Sequence, residues 1–454
     1  MTLQTGLKQK KSQPFFYASV IVVFFGLIYL IIIPPCEAPD EPAHFARAYG
    51  ITEGQFVLKD HPRELLEFVK KSMRRHESFY EFITNILHND KSRFENLAFN
   101  TALYSPFPYV FHSTIIKIVS LVTKSENKFK VYFYFARAVS LALFIGVILW
   151  LCAYSYNLKW IVFWVFTNPM ALAQASTINL DIVIFCASIL ILLSSIYIEK
   201  KYNIFLIIIA GFFLMLSKPV YTPILILPLI TIFIKDIEKK YSKLLGLVVA
   251  YAAMFLTGVI WGAVSRKYGV FDHYIEVSGS VRLSPHDHLV HALTSPIDFL
   301  KIIFNTFVQN GLQIYHQFVG ILAWLDVPVS VWVTVLWGIF AIIILFSVDT
   351  GELKFTKKQA RCLGLVFIST ALLCFILVML SGYILWTPVS SETIPLQGRY
   401  FHVIVATLFL GLALIRPEFK LKSKTRNLME WSAVVACLVI HASSLYTLLD
   451  TFWF

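Results

Sequence analysis

The stretch Phe15–Ile33, FFYASVIVVFFGLIYLIII, holds no charged residue and no interruption of its apolar run. About 18 apolar residues are enough to cross the hydrocarbon core of a bilayer. The run is too long for a signal-peptide core, and Pro34-Pro35-Cys36-Glu37 offers no small-residue cleavage site, so it reads as a retained first membrane helix. The rest of the chain agrees. Hydrophobic residues make up 57% of the 454 and charged residues 15%, with a mean hydropathy of +0.70. Soluble domains carry about 25% charged residues. The expected class is an all-α polytopic membrane protein.

The formal charge is +12. No basic face interleaved with exposed aromatics accompanies it, so nucleic acid is excluded as a partner. Short cytoplasmic loops rich in Lys and Arg account for the charge instead. Of the six cysteines, five lie in apolar runs and none forms a CxxC pair, which argues against a disulfide framework or a zinc site. No nucleotide-binding or hydrolase fingerprint is present. The sequence identifies no cofactor, and a divalent cation is left open.

Loop charge sets the orientation. Lys8, Lys10 and Lys11 place the N-terminal tail in the cytoplasm, and four later basic loops (200–201, 235–243, 354–361, 416–426) belong on the same side. Two apolar segments lie between Tyr104 and Ser155. Only if one of them crosses do all four basic loops fall inside. Ser105–Val122, with Pro106, Pro108, His112 and Lys117, is therefore assigned to the outer interface.

Crossings are expected near 15–33, 131–153, 160–178, 182–198, 203–217, 222–234, 243–264, 329–347, 361–383, 400–416 and 429–448, about eleven in all by the length rule. The chain then divides into a cytoplasmic tail (1–14), the first membrane helix (15–33), an extracytoplasmic loop with interfacial helices (34–130), a membrane core (131–264), a second outer loop (265–328) and C-terminal membrane helices (329–454). Asp298–Phe318 is polar for a lipid-facing span and reads as a re-entrant or cavity-lining stretch. Arg63 to Phe94 has the spacing of amphipathic surface helices. No internal repeat is visible, which weakens a transporter built from inverted halves.

This topology collects the chemically capable residues on the outer side. Asp40 and Glu41 follow three prolines just outside the first span. They read as a general base for an acceptor hydroxyl, or Asp40 as the N-cap of a following helix. His44 lies on the same stretch and suits orienting a carboxylate or plain structural hydrogen bonding. Asp181 at a span end must be solvated, paired or used. Lys218, between short apolar segments broken by Pro219 and Pro223, either snorkels or holds an anion. Arg399, after Gly398 and before Tyr400, suits bidentate phosphate binding or interfacial anchoring. Arg137, one turn into a span, is favoured as a snorkelling side chain. His286, Asp287, His288 and His291 sit in ordinary loop sequence that argues against a metal site.

These residues fall in motifs that occur in order along most of the chain. They are Pro34-Pro35-Cys36-Glu37-Ala38-Pro39-Asp40-Glu41-Pro42-Ala43-His44-Phe45; Tyr104-Ser105-Pro106-Phe107-Pro108-Tyr109; Arg137; Asn168-Pro169-Met170 through Asp181; Lys218-Pro219-Val220-Tyr221; Gly320-Ile321-Leu322-Ala323-Trp324-Leu325-Asp326; and Gln397-Gly398-Arg399-Tyr400-Phe401. The series resembles a large bacterial family of polytopic membrane proteins of unknown function, placed with the GT-C glycosyltransferases. Two departures are visible: Cys36-Glu37-Ala38 stands between the double proline and the acidic pair, and Asn179-Leu180 replaces an Asn-Pro. Neither removes a charged group.

The resemblance implies a GT-C-like helical bundle acting on the outer face of the cytoplasmic membrane. It implies an acidic base in the first outer loop and a polyprenyl-phosphate sugar as donor. On that reading Asp40 is the base and Glu41 the reserve. Arg399, Lys218 and Arg137 neutralise the phosphate. His44, Asp181, Tyr104, Tyr221 and Tyr400 complete the substrate-binding set. The acceptor is a polysaccharide or lipid-linked glycan such as lipopolysaccharide O-antigen. The alternatives are a flippase for a lipid-linked saccharide or a non-catalytic member of a polysaccharide assembly complex.

Overall fold

In a computed structural model, the structure describes residues 13–57, 63–72, 101, 104–123, 128–153, 157–200, 202–235, 237, 239–268, 285–351, 353, 355–388, 391–417 and 421–454. The N-terminal basic residues, the first loop from 73 to 100 and the segment 269–284 lie outside the described residues.

Apolar runs become helices, and prolines and caps decide where they stop. The first span is α1 (Gln13–Ile32), followed by a tight turn and α2 (Glu41–Thr52), α3 (Arg63–Ser72), a 3-10 turn (Phe107–Tyr109) and α4 (Val110–Val122). Next come α5 (Lys128–Ala153), α6 (Lys159–Phe166), α7 (Pro169–Ala175), α8 (Asp181–Ile196) and α9 (Asn203–Ser217). After a 3-10 turn (Pro219–Leu225) stand α10 (Ile226–Ile234), α11 (Lys240–Lys267), α12 (Pro285–Thr294) and α13 (Pro296–Gly320). A two-stranded antiparallel hairpin, β1 (Ile321–Leu322) and β2 (Val327–Pro328), leads to α14 (Val331–Ser347) and α15 (Lys357–Trp386). A last 3-10 turn (Gly398–Phe401) precedes α16 (His402–Ile415) and α17 (Ser423–Phe452).

Six of these segments are long and apolar enough to cross a membrane: α1, α5, α11, α15, Gly398–Ile415 and α17. Phe107–Val122, α8, α9, Pro219–Ile234 and α14 are shorter apolar helices. The chain is thus an all-α polytopic membrane protein. The expected span 160–178 is divided into α6 and α7, because Pro169 lacks the N–H that would continue the helix. Asn168 takes over there, its side chain accepting from Ala171 N at 2.9 Å to cap α7. Asp298–Phe318 lies within the continuous helix α13, whose Phe304, Val308 and Leu312 are exposed while Phe299, Ile303 and Phe318 pack inward.

The main apolar cluster takes in α6 and α8, whose side chains are almost all buried, and a second cluster packs α2, α3 and α4 against the start of α5. Indole N–H groups of Trp164 and Trp337 donate to each other's backbone carbonyls at 3.1 and 3.3 Å, joining α6 to α14. α15 and α16 touch backbone to backbone: a Cβ on Gly364 would lie 2.7 Å from Gly411 O, so no larger residue fits. α15 starts with a reciprocal Thr356–Gln359 capping box. α11 packs on α9 and α10, and much of its surface is exposed apolar residues such as Leu245, Phe255 and Val259.

Candidate functional site

Between α1 and α2 the chain reverses through residues 34–40. Cys36 and Asp40 both adopt left-handed backbone, at φ 69° and 61°, a conformation that favours Asn and Asp among non-glycine residues. Because of this turn the neighbouring side chains Asp40 and Glu41 point to different surroundings.

Glu41 is fully buried and faces Arg137 of α5 in a two-pronged ion pair, with Arg137 Nε and Nη2 each 2.7 Å from a carboxylate oxygen. Glu41 also accepts from Ile178 N at 3.0 Å and Cys36 N at 3.2 Å. The remaining Arg137 donors reach the carbonyls of Leu30, Ile33 and Pro34. Arg137 thereby satisfies orphan carbonyls at the end of α1, where a cation is also favoured by the helix dipole. Every donor of Arg137 is used. Instead of snorkelling, Arg137 is buried with Glu41, and each satisfies the other.

Asp40 stands at the N-cap of α2, but its side chain makes no capping hydrogen bond. Its Oδ2 accepts from Arg399 Nη2 at 2.7 Å. Arg399 Nε lies 3.4 Å from Asp181 Oδ2, and Lys218 Nζ donates to Asp181 Oδ1 at 2.6 Å. The four charges form one chain, Asp40–Arg399–Asp181–Lys218. Asp181 opens α8 and Lys218 closes α9, so both signs suit the helix ends they occupy. Side-chain exposure falls from Asp40 (28%) through Lys218 (17%) and Asp181 (7%) to Arg399 (3%).

Arg399 is delivered by an unusually close approach. A Cβ on Gly398 would sit 2.2 Å from Phe318 N and 2.3 Å from Ile314 O, both backbone atoms of α13. Gly398 N donates to Gln317 Oε1 at 3.0 Å. Only glycine allows the 3-10 turn to lie on α13 in this way. Tyr221 donates its hydroxyl hydrogen to Tyr400 O at 2.8 Å, joining two of the 3-10 turns. The Tyr400 ring lies 4.5 Å from Lys218 Nζ and 5.6 Å from the Arg399 guanidinium carbon, cation–π distances.

His44 and Tyr104 border this cluster. His44 Nδ1 is 2.7 Å from the Tyr109 hydroxyl, and its ring stacks on Tyr104 at 6.2 Å. Burial pushes the His44 pKa down to about 4, so the ring is neutral at neutral pH. Burial likewise pushes the Tyr104 phenol up to about 12 and raises that of Tyr109.

A cavity of about 290 Å³ runs from this cluster between α9, α11 and α15. Lys218, Tyr104, Tyr221 and Tyr400 form its polar end; Met215, Val220, Trp261, Val378, Leu385 and Trp386 contribute apolar walls. Trp261 and Trp386 carried no functional signal in sequence, since tryptophans in apolar helices ordinarily mark the membrane interface. Trp324 was visible only as part of a motif; its indole N–H donates to Cys36 O at 2.9 Å and holds the turn before Asp40. Among the described residues no group of three or more His, Cys, Asp or Glu is placed to hold a metal ion. His288 packs its ring against Tyr383 at 4.5 Å, and His291 Nδ1 lies 3.0 Å from the Tyr383 hydroxyl.

Fold and site together define a multi-pass helical membrane protein with a charge-paired cluster at the head of an apolar cavity. Residues 23–408 match the family described as "Predicted membrane protein (DUF2142)", and the chain belongs to that family. No curated protein and no solved structure matches it.

Proposed function

We propose that the chain is a GT-C-type glycosyltransferase. It moves a sugar from a polyprenyl-phosphate donor to an envelope glycan, such as lipopolysaccharide O-antigen, on the outer face of the bacterial cytoplasmic membrane. Its helices make about eleven crossings by the length rule, with the N-terminus inside and the charged cluster outside.

The observation that carries the reading is the amphiphilic cavity: apolar walls lead to a head lined by Lys218 and three tyrosines, and Lys218 is linked through Asp181 to Arg399 and on to Asp40. An amphiphile with an anionic head matches that polarity. The donor's chain lies along the walls and its phosphate meets Lys218 and Arg399. Asp40, the most exposed of the four, takes the proton from the acceptor hydroxyl. The acceptor oxygen forms its bond to the anomeric carbon from the face opposite the phosphate. The carbon–oxygen bond to phosphate breaks with its electron pair staying on the phosphate, and the configuration inverts. Asp181 holds Lys218 in place, and neutral His44 with Tyr104 borders the reacting centre.

Purified full-length protein incubated with a labelled polyprenyl-phosphate sugar and glycan acceptor tests this. Transfer is expected, and Asp40→Asn is expected to lower it by about 10²–10⁴-fold, the usual contribution of a positioned base. Movement of the lipid across vesicles without transfer would instead mark a carrier. Full transfer by Asp40→Asn would remove the base assignment.

A further inference from the structure

The charges of Asp40, Arg399, Asp181 and Lys218 cancel: two anions and two cations hold one another. An anionic head that engages Lys218 and Arg399 therefore meets cations already committed to carboxylates. One of those carboxylates has to yield. Asp181 is nearly buried, starts a helix, and contacts both cations. Asp40 is the more exposed and has Arg399 as its cation.

Arg399 itself is under-used. A guanidinium has five N–H donors. Among the described residues the Arg399 guanidinium makes a single hydrogen bond, to Asp40. Its Nε is buried with no hydrogen-bond partner, the Asp181 oxygen being 3.4 Å away and poorly aligned. A buried unsatisfied donor is costly and favours any acceptor that can reach it. The planar fork matches a phosphate better than the single-oxygen contact it now makes.

We infer that Asp40 occupies, through its contact with Arg399, the place of the ligand's anionic head. A phosphate head displaces the Asp40 carboxylate from Arg399, and that displacement frees Asp40 to act as a base. The inference rests on the lipid-phosphate reading above and adds an order to it: donor binding comes first and unmasks the base. A carboxylate paired with a guanidinium is a weaker base than a free one, so the exchange ties proton acceptance to the presence of donor. The backbone need not move. Cys36 is held through its nitrogen by Glu41 and through its carbonyl by Trp324, so the turn stays fixed while the Asp40 side chain rotates away.

Isothermal calorimetry on the full-length chain in detergent, with a short-chain prenyl monophosphate as probe, tests the exchange. If Asp40 competes with the phosphate, removing its charge tightens binding. Asp40→Asn, whose side chain tolerates the left-handed backbone, is expected to bind about tenfold more tightly, roughly 1.4 kcal/mol. Asp40→Glu, which keeps the charge, is expected to bind as the unaltered chain does, and Arg399→Lys more weakly. Asp40→Gly replaces the Asn variant should that one fail to fold, since glycine adopts this conformation freely. Equal or weaker binding by the uncharged variants overturns the exchange, while a drop with Arg399→Lys leaves the lipid-phosphate reading standing. Absence of saturable binding in the unaltered and uncharged forms alike overturns that reading and the exchange with it.

Discussion

Two buried arginines on this protein answer to different needs. Arg137 places all its donors, two on Glu41 and the rest on carbonyls at the end of the first span. Among the described residues Arg399 places one, on Asp40. Both face a carboxylate from the same turn, and those carboxylates are adjacent in sequence. A saturated guanidinium has nothing left to offer a ligand, and its role is to lock helix ends together. An unsaturated one beside a cavity keeps donors in reserve. Counting satisfied donors separates the structural pair from the candidate site where residue type and burial do not.

The comparison breaks first at Arg137. Removing one partner of a buried ion pair leaves the other uncompensated, at about 3–5 kcal/mol. Arg137→Ala is expected to abolish accumulation of folded protein, or to lower its melting temperature in detergent far more than Arg399→Ala does. Equal destabilisation by the two would erase the distinction drawn between them.

Gly398→Ala probes how the unsaturated arginine is delivered. The added methyl meets backbone on α13 at 2.2 and 2.3 Å, and backbone cannot yield by rotating. Overpacking of this kind costs about 1–3 kcal/mol. The variant is expected to melt earlier and, on the proposed lipid-phosphate reading, to bind a prenyl phosphate more weakly, because Arg399 is shifted from its place beside Asp181 and the Lys218 it holds.

The smallest expected effect is a pH dependence from His44. Its folded-state pKa of about 4 lies below the ordinary histidine value of 6.5. Between those values the unfolded chain binds the proton more readily, so stability falls as pH falls from 6.5 to about 4 and then levels off. One such group contributes a slope of at most about 1.4 kcal/mol per pH unit. Melting temperatures across that window should flatten in His44→Gln relative to the unaltered chain. An unchanged slope would show that His44 does not titrate as its burial requires.

Much of this arrangement was legible in the chain. Lys218, Asp181, Arg399 and Asp40 each stand out in the sequence, loop charge puts them on one side of the membrane, and they meet. Apolar runs also located the helices closely, with 203–217 expected and Asn203–Ser217 found. Three features were not legible. The helix break at Asn168-Pro169 was hidden inside a continuous apolar run. The polar residues of α13 gave no sign that Gln309 and Gln313 would be exposed while Gln317 holds Gly398. The cavity walls come from α9, α11 and α15, whose lining residues show no distinguishing composition.

By itself the sequence determined that this is a polytopic helical membrane protein, where its helices lie, and which charges the membrane would tolerate only at an edge. Those are local properties: apolar length, proline position and the cost of burying charge are set by neighbouring residues. Only the tertiary structure decided that Glu41 pairs with Arg137 in the scaffold while Asp40 joins the charged cluster of the candidate site. Their partners stand 96 and 359 residues away, and a left-handed turn at Asp40 sends adjacent side chains to different neighbours. Pairing over such separations is fixed by how helices pack, which no local pattern of residues encodes.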